Sequence, residues 1–104
     1  MERKEKLLEL LKNDPLDSFL NHALALEYLK EGIDTEAEQL FKSILENDPE
    51  YTGSYYHLGK LLERRNDISM AMYWYEKGMT MAKAQKDMKT YNELQAAYED
   101  IADE

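Results

Sequence analysis

The sequence predicts an all-α protein, an α-solenoid of antiparallel helix hairpins with two full repeat units, an N-terminal half-repeat and a C-terminal capping helix. Three observations carry that expectation. Only four Gly and two Pro interrupt 104 residues, and Leu, Glu, Lys, Ala and Met dominate the stretches between, all of which propagate helices with little loss of side-chain freedom. The stretch "LLKNDPLDSF" from Leu10 returns as "ILENDPEYTG" from Ile44, 34 residues on. When the chain is laid on itself at that offset, small mostly meets small and large meets large. Leu24 falls on Leu58, Ala25 on Gly59, Ala37 on Ala71 and Phe41 on Tyr75, with Asp14-Pro15 on Asp48-Pro49. A fixed period in the range of about 20 to 50 residues is the mark of stacked structural repeats.

Each element follows in order within a single domain over 1–104. Residues 2–13 match the second helix of a repeat whose first helix is missing, with Leu7 on Phe41, Leu10 on Ile44 and Leu11 on Leu45. The first repeat covers 15–49. Its first helix is predicted over 18–30, with Asp17 or Ser18 able to cap the free N–H groups. "EGID" at 31–34 breaks it, and Gly32 can take the left-handed conformation that closes a helix. Asp34 or Thr35 is expected to cap the next helix, which runs to about residue 47 and is stopped by Pro49. The second repeat covers 50–84, with helices over 52–65 and 68–84 and the break at Asn66-Asp67. The tail 87–104 reads as a capping helix. Its "KTYNELQAAYEDI" matches a first helix if two extra residues are allowed, with Tyr91, Leu94 and Tyr98 at large positions and Gln95 at the small one. Ala25, Gly59, Ala37 and Ala71 stand where neighbouring helices must approach closely.

Composition narrows the function classes. The chain is 43% hydrophobic and 34% charged, too charged to span a membrane and too apolar to stay disordered. "MERKEKLLELL" is charged on both sides of its leucines and is not expected to be a secretory signal. Without cysteine, disulfides and thiolate zinc sites are excluded, and a cytoplasmic location is favoured. The formal net charge of −9 repels nucleic acid and anionic lipid and favours basic or neutral partners. No His-Glu-x-x-His, glycine-rich phosphate loop or Gly-x-Ser-x-Gly occurs. His22 and His57 each have Leu four residues on, at Leu26 and Leu61, so neither forms a helical metal-ligand pair. No catalytic residue, metal or cofactor is expected, and no enzyme.

The stretch "YYHLGKLLERRNDISMAMYWYEKGM" resembles the tetratricopeptide repeat. The residues that carry the resemblance are Tyr55, Leu58-Gly59, Leu62, Ala71, Tyr75 and Gly78, with Pro49 closing the preceding copy. The first copy supplies Leu24-Ala25, Tyr28, Ala37 and Phe41. It departs at Asn21, where the family prefers a large aromatic, and at Ile44, where it prefers Ala. Lys83 stands where the second copy should close on Pro. The resemblance implies a non-catalytic scaffold whose first helices line a concave groove that holds a peptide or a partner's helix. The matching positions are Phe19, His22, Leu26 and Leu29 in the first copy and Tyr56, Lys60, Glu63 and Arg64 in the second, with Asn92 and Ala96 extending the line onto the cap. The Lys–Asn set with which some members grip a chain-terminal carboxylate is absent, because His22 and Leu26 stand there. Lys60 and Arg64, one turn apart, suit a carboxylate, so a peptide with apolar and acidic groups is the expected ligand. The rival expectation is a structural role through weak homodimerisation. "YWY" at 73–75 reads as packing, since on a helix the three rings point apart. Tyr75 belongs to the core, Trp74 is expected against the last helix, and Tyr73 is expected in solvent.

Overall fold

The computed structural model describes residues 2–102. Among them are six helices and no strand: α1 (Glu2–Asn13), α2 (Ser18–Lys30), α3 (Asp34–Asn47), α4 (Gly53–Arg64), α5 (Ile68–Ala84) and α6 (Met88–Ala102). The chain divides into two compact units, Met1–Asp48 and Pro49–Glu104. The last two residues of the expected capping helix lie outside the described residues.

In the first unit, α1 lays Leu7 into a cluster with Ala23 and Leu24, and Leu11, Leu20, Tyr28 and Leu40 close around it. Two ion pairs flank this contact. The Arg3 guanidinium donates to Glu27 at 3.1 Å, and the Lys4 ammonium donates to Glu31 at 2.9 Å while lying 5.0 Å above the Tyr28 ring. The Asp17 carboxylate caps α2 by accepting from the Leu20 N–H at 2.8 Å. Ser18 takes a different part: its hydroxyl donates to Asp48, at the end of α3, at 2.8 Å, tying the open ends of the hairpin together. Gly32 adopts φ +77°, and the N–H groups of Gly32 and Ile33 return to the carbonyls of Leu29 and Tyr28. This closure places Ile33, not Asp34 or Thr35, at the cap position of α3, where its apolar side chain accepts no cap hydrogen bond. Asp34 already lies inside the helix. It supports the first turn with Glu36 through charge against the helix dipole instead. Ala37, Phe41, Ile44 and Leu45 are the buried stripe of α3.

The second unit repeats the plan. Asn66, at φ +64°, takes the place of Gly32, and the N–H groups of Asn66 and Asp67 return to Glu63 and Leu62. Asn is among the few residues with a side chain that tolerate this conformation. Asp67 caps α5 and Asp87 caps α6. Between α5 and α6 the left-handed residue is Lys86, at φ +62°.

The α4–α5 contact is reciprocal. A Cβ added at Gly59 would overlap the Tyr75 ring, and one added at Gly78 would stand 2.7 Å from the Tyr55 Cβ and 2.9 Å from a Leu94 methyl. Each helix therefore offers one glycine floor and one tyrosine ring. Tyr55 and Tyr75 are both fully buried. The Tyr55 hydroxyl is satisfied by the Pro49 carbonyl at 2.6 Å. Leu94, Ala97 and Ile101 of α6 complete this core.

Two substitutions test the packing by urea unfolding. Gly59→Ala should destabilise by about 1–3 kcal/mol through overpacking against a ring that cannot retreat; an unchanged midpoint would show that the backbones are not in contact there. Leu7→Ala should cost about 2–5 kcal/mol, with amide exchange accelerated first in α1. Exchange that rises equally in both units would contradict a core of its own for the first unit.

Candidate functional site

The faces that the sequence nominates are built differently in the two units. In the first, Phe19 is 64% exposed and takes no part in the α1–α2 cluster. His22 is half-buried, its ring edge-on to Phe41 at 5.6 Å, so one side of the imidazole belongs to the hairpin packing. Leu26 and Leu29 are half-buried. These four residues form an apolar surface with little charge.

In the second unit the face has a defined hollow. Tyr56 and Lys60 of α4 stand opposite Glu93, Ala96, Ala97 and Asp100 of α6, and together they line a cleft of about 420 Å³. Small side chains on α6 make the space. The Tyr56 ring is tilted against Tyr75 at 6.5 Å and meets the His57 ring edge-on at 5.8 Å. The Lys60 ammonium lies 5.8 Å above the Tyr56 ring and 3.7 Å from the Glu63 carboxylate. Glu63 in turn accepts the Tyr75 hydroxyl at 2.5 Å. A chain of contacts thus runs from the core ring of Tyr75, through Glu63 and Lys60, to the wall of the cleft. Arg64 is exposed and shares a shallower hollow with Lys60 and Glu63. Asn92 is exposed and does not line the cleft; its neighbour Glu93 does.

The electrostatics follow from this arrangement. Burial, then the hydrogen bond to Glu63, raises the Tyr75 phenol well above its ordinary range. Burial lowers the His57 imidazole, which disfavours its charged form. Lys60 is engaged by Glu63, so the carboxylate that sequence reasoning assigns to it is already supplied from within the chain. Among the described residues no group of three His, Asp or Glu side chains is placed to hold a metal ion. No helix there is long and apolar enough to cross a membrane.

Of the three rings at residues 73–75, Tyr75 turns into the core while Tyr73 and Trp74 meet edge to face. Tyr75 is fully buried and Tyr73 is 47% exposed. Trp74 is half-buried and packs against Tyr55 of α4 at 6.2 Å and Tyr73 at 5.1 Å.

Comparison with known proteins now decides the family. A tetratricopeptide repeat domain protein from Salinibacter ruber, solved in solution, is 40% identical and superposes with a TM-score of 0.82, covering 86% of this chain and 90% of that one. The chain belongs to the tetratricopeptide repeat family. The crystal structure of a tetratricopeptide repeat domain protein from the same organism agrees, at 40% identity and a TM-score of 0.78 over 82% of this chain and 94% of that one. A protein from Bordetella parapertussis, 25% identical, superposes at 0.81 over 95% of this chain and 86% of that one. No family model matches the chain, and no curated protein does. The departures of this tetratricopeptide repeat chain from the common pattern, at Asn21, Ile44 and Lys83, accompany a fold that superposes closely on its relatives.

The Tyr75 phenol yields a pH prediction. Its ionisation is suppressed in the folded state, so it contributes fully below the ordinary tyrosine pKa of about 10. Above that, only the unfolded chain releases the proton, and stability falls with rising pH by up to about 1.4 kcal/mol per unit. Urea unfolding between pH 9 and 11 should therefore show a steeper alkaline loss in the wild type than in Tyr75→Phe. Parallel profiles would remove Tyr75 as the cause.

Proposed function

We propose that the chain is a non-catalytic interaction module that holds a peptide segment of a partner protein on the exposed faces of its first helices, with the α4–α6 cleft as an anchoring point. In general terms its family membership points to a protein-interaction module. The observation that carries the finer reading is the cleft itself. Tyr56, Ala96 and Ala97 form an apolar floor, and Lys60, Glu93 and Asp100 supply polar groups at its walls. That combination suits one side chain and the backbone on either side of it. Phe19, His22, Leu26 and Leu29 in the first unit, and Glu63, Arg64 and Asn92 in the second, are the further positions we assign to this role. The cysteine-free composition favours a cytoplasmic setting.

The size of the cleft bears on affinity. Stable, specific interfaces bury about 1,200–2,000 Å² in total, more than a single cleft and its rim offer. Binding is therefore weak and readily reversed unless several copies act together.

Self-assembly is the second reading, and one observation favours it: Leu8 and Leu10 of α1 are 42% and 48% exposed. On α6 the positions that match Tyr55, Gly59 and Leu62 of α4 hold Tyr91, Gln95 and Tyr98, all half-buried.

The test is selection from a library of random dodecapeptides, followed by amide shift mapping of the retained sequences. Shifts should concentrate on Tyr56, Lys60, Ala96 and Ala97. Retention of no peptide, or shifts confined to the outer faces of α3 and α5, would refute the groove. Light scattering that shows a stable dimer at micromolar concentration would favour self-assembly.

A further inference from the structure

We infer that the occupant of the α4–α6 cleft is a basic segment, one whose Lys or Arg side chain enters between Glu93 and Asp100; this rests on the peptide-binding reading above and names the chemistry of the partner.

The charges at the cleft support this choice. Two carboxylates, of Glu93 and Asp100, and one ammonium, that of Lys60, line the cleft. Lys60 stands 3.7 Å from Glu63, so this pair largely cancels. Among the described residues no ion pair engages Glu93 or Asp100. Their two negative charges therefore set the local potential, and Asp100 acts inward as far as Tyr75, whose phenol it helps keep protonated. Arg64, one turn beyond Lys60, is exposed and lines the neighbouring hollow rather than this one.

Lys60 itself shows what the wall attracts. Its ammonium has settled over the Tyr56 ring and beside a carboxylate, the arrangement in which an aromatic face and an anion together hold a cation. An incoming Lys or Arg finds the same two elements across the cleft: the apolar floor of Tyr56, Ala96 and Ala97 for its methylene stem, and Glu93 and Asp100 for its charged head. An acidic peptide would meet two uncompensated carboxylates. The net charge of −9 for the whole chain draws basic segments toward the surface and speeds encounter. The acidic ligand inferred from Lys60 and Arg64 in the sequence is thus replaced by its opposite.

The experiment uses the intact chain and the same dodecapeptide library. Retained sequences should be enriched in Lys or Arg over Asp and Glu. Affinity for a retained basic peptide, read by fluorescence anisotropy, should fall about tenfold in the double variant Glu93→Gln, Asp100→Asn, as the loss of charge-assisted contacts predicts. The double variant Glu5→Gln, Glu46→Gln makes the same change in net charge on exposed positions elsewhere. It should leave affinity within about twofold, because screening confines each charge to roughly 10 Å. Circular dichroism melts check that both variants remain folded. Acidic or uncharged sequences that shift Tyr56 and Ala97 would overturn the charge assignment and leave the groove standing. Basic peptides that lose equal affinity in both double variants would mean nonspecific attraction, and would overturn it too. A library that yields nothing brings down the groove and this inference together.

Discussion

Everything in the second unit depends on two backbones that come close enough for a ring on each to lie on a glycine of the other. Tyr75 covers Gly59 and Tyr55 covers Gly78. Neither glycine is needed for its conformational freedom; both are needed for the space that a missing Cβ leaves. Each buried ring removes a large apolar surface from water, but the pairing does more than add burial. It sets the separation and rotation of α4 against α5 at two points along the helices. Leu94 reaches the same glycine as Tyr55, so α6 is seated by the same constraint.

The candidate site inherits its geometry from that contact. Tyr75 enters the core as a ring, yet its hydroxyl emerges against Glu63, and Glu63 holds Lys60 at the rim. The Tyr56 ring is tilted against the same ring. The wall of the cleft is therefore positioned by a residue that is itself immobilised in the core. A binding surface placed on helices that are braced from beneath loses less entropy when it engages a peptide than a loop would. The charge of the site is set separately, by Glu93 and Asp100 on α6, which play no part in the packing stripe of Leu94, Ala97 and Ile101.

Much of the fold was legible because its punctuation is chemical. Asp17, Gly32, Pro49 and Asn66-Asp67 each carry a specific backbone preference, and the predicted limits of α1 to α5 fall within about one residue of the observed ones, the usual uncertainty at helix ends. Lys86 was not legible: lysine has no preference for the left-handed conformation, and its place follows from how the last turn of α5 closes. The Asn21 and Ile44 departures look like losses when each is read alone. Read as a pair they exchange bulk between helices, since the same two positions in the second unit hold Tyr55 and Gly78. The face of α4 could be read from the period, and with two extra residues allowed the same register carries Ala96 of α6 to the cleft. Glu93 was not named because at that offset it matches His57, outside the face that the period nominates. The carboxylates of the cleft were not legible beside Lys60 and Arg64, because those two are neighbours along one helix while Glu93 and Asp100 arrive from another.

The central claim is that ring and glycine fit each other as a unit, and a double-mutant cycle on Gly59→Ala and Tyr75→Leu measures that fit most directly. Shortening the ring should make room for the added methyl, so the double variant should be more stable than the sum of the two single losses predicts, by a coupling energy of about 0.5–3 kcal/mol. Losses that add to within about 0.3 kcal/mol would mean that the two residues do not share a contact, and the account of how α4 and its cleft are positioned would be wrong.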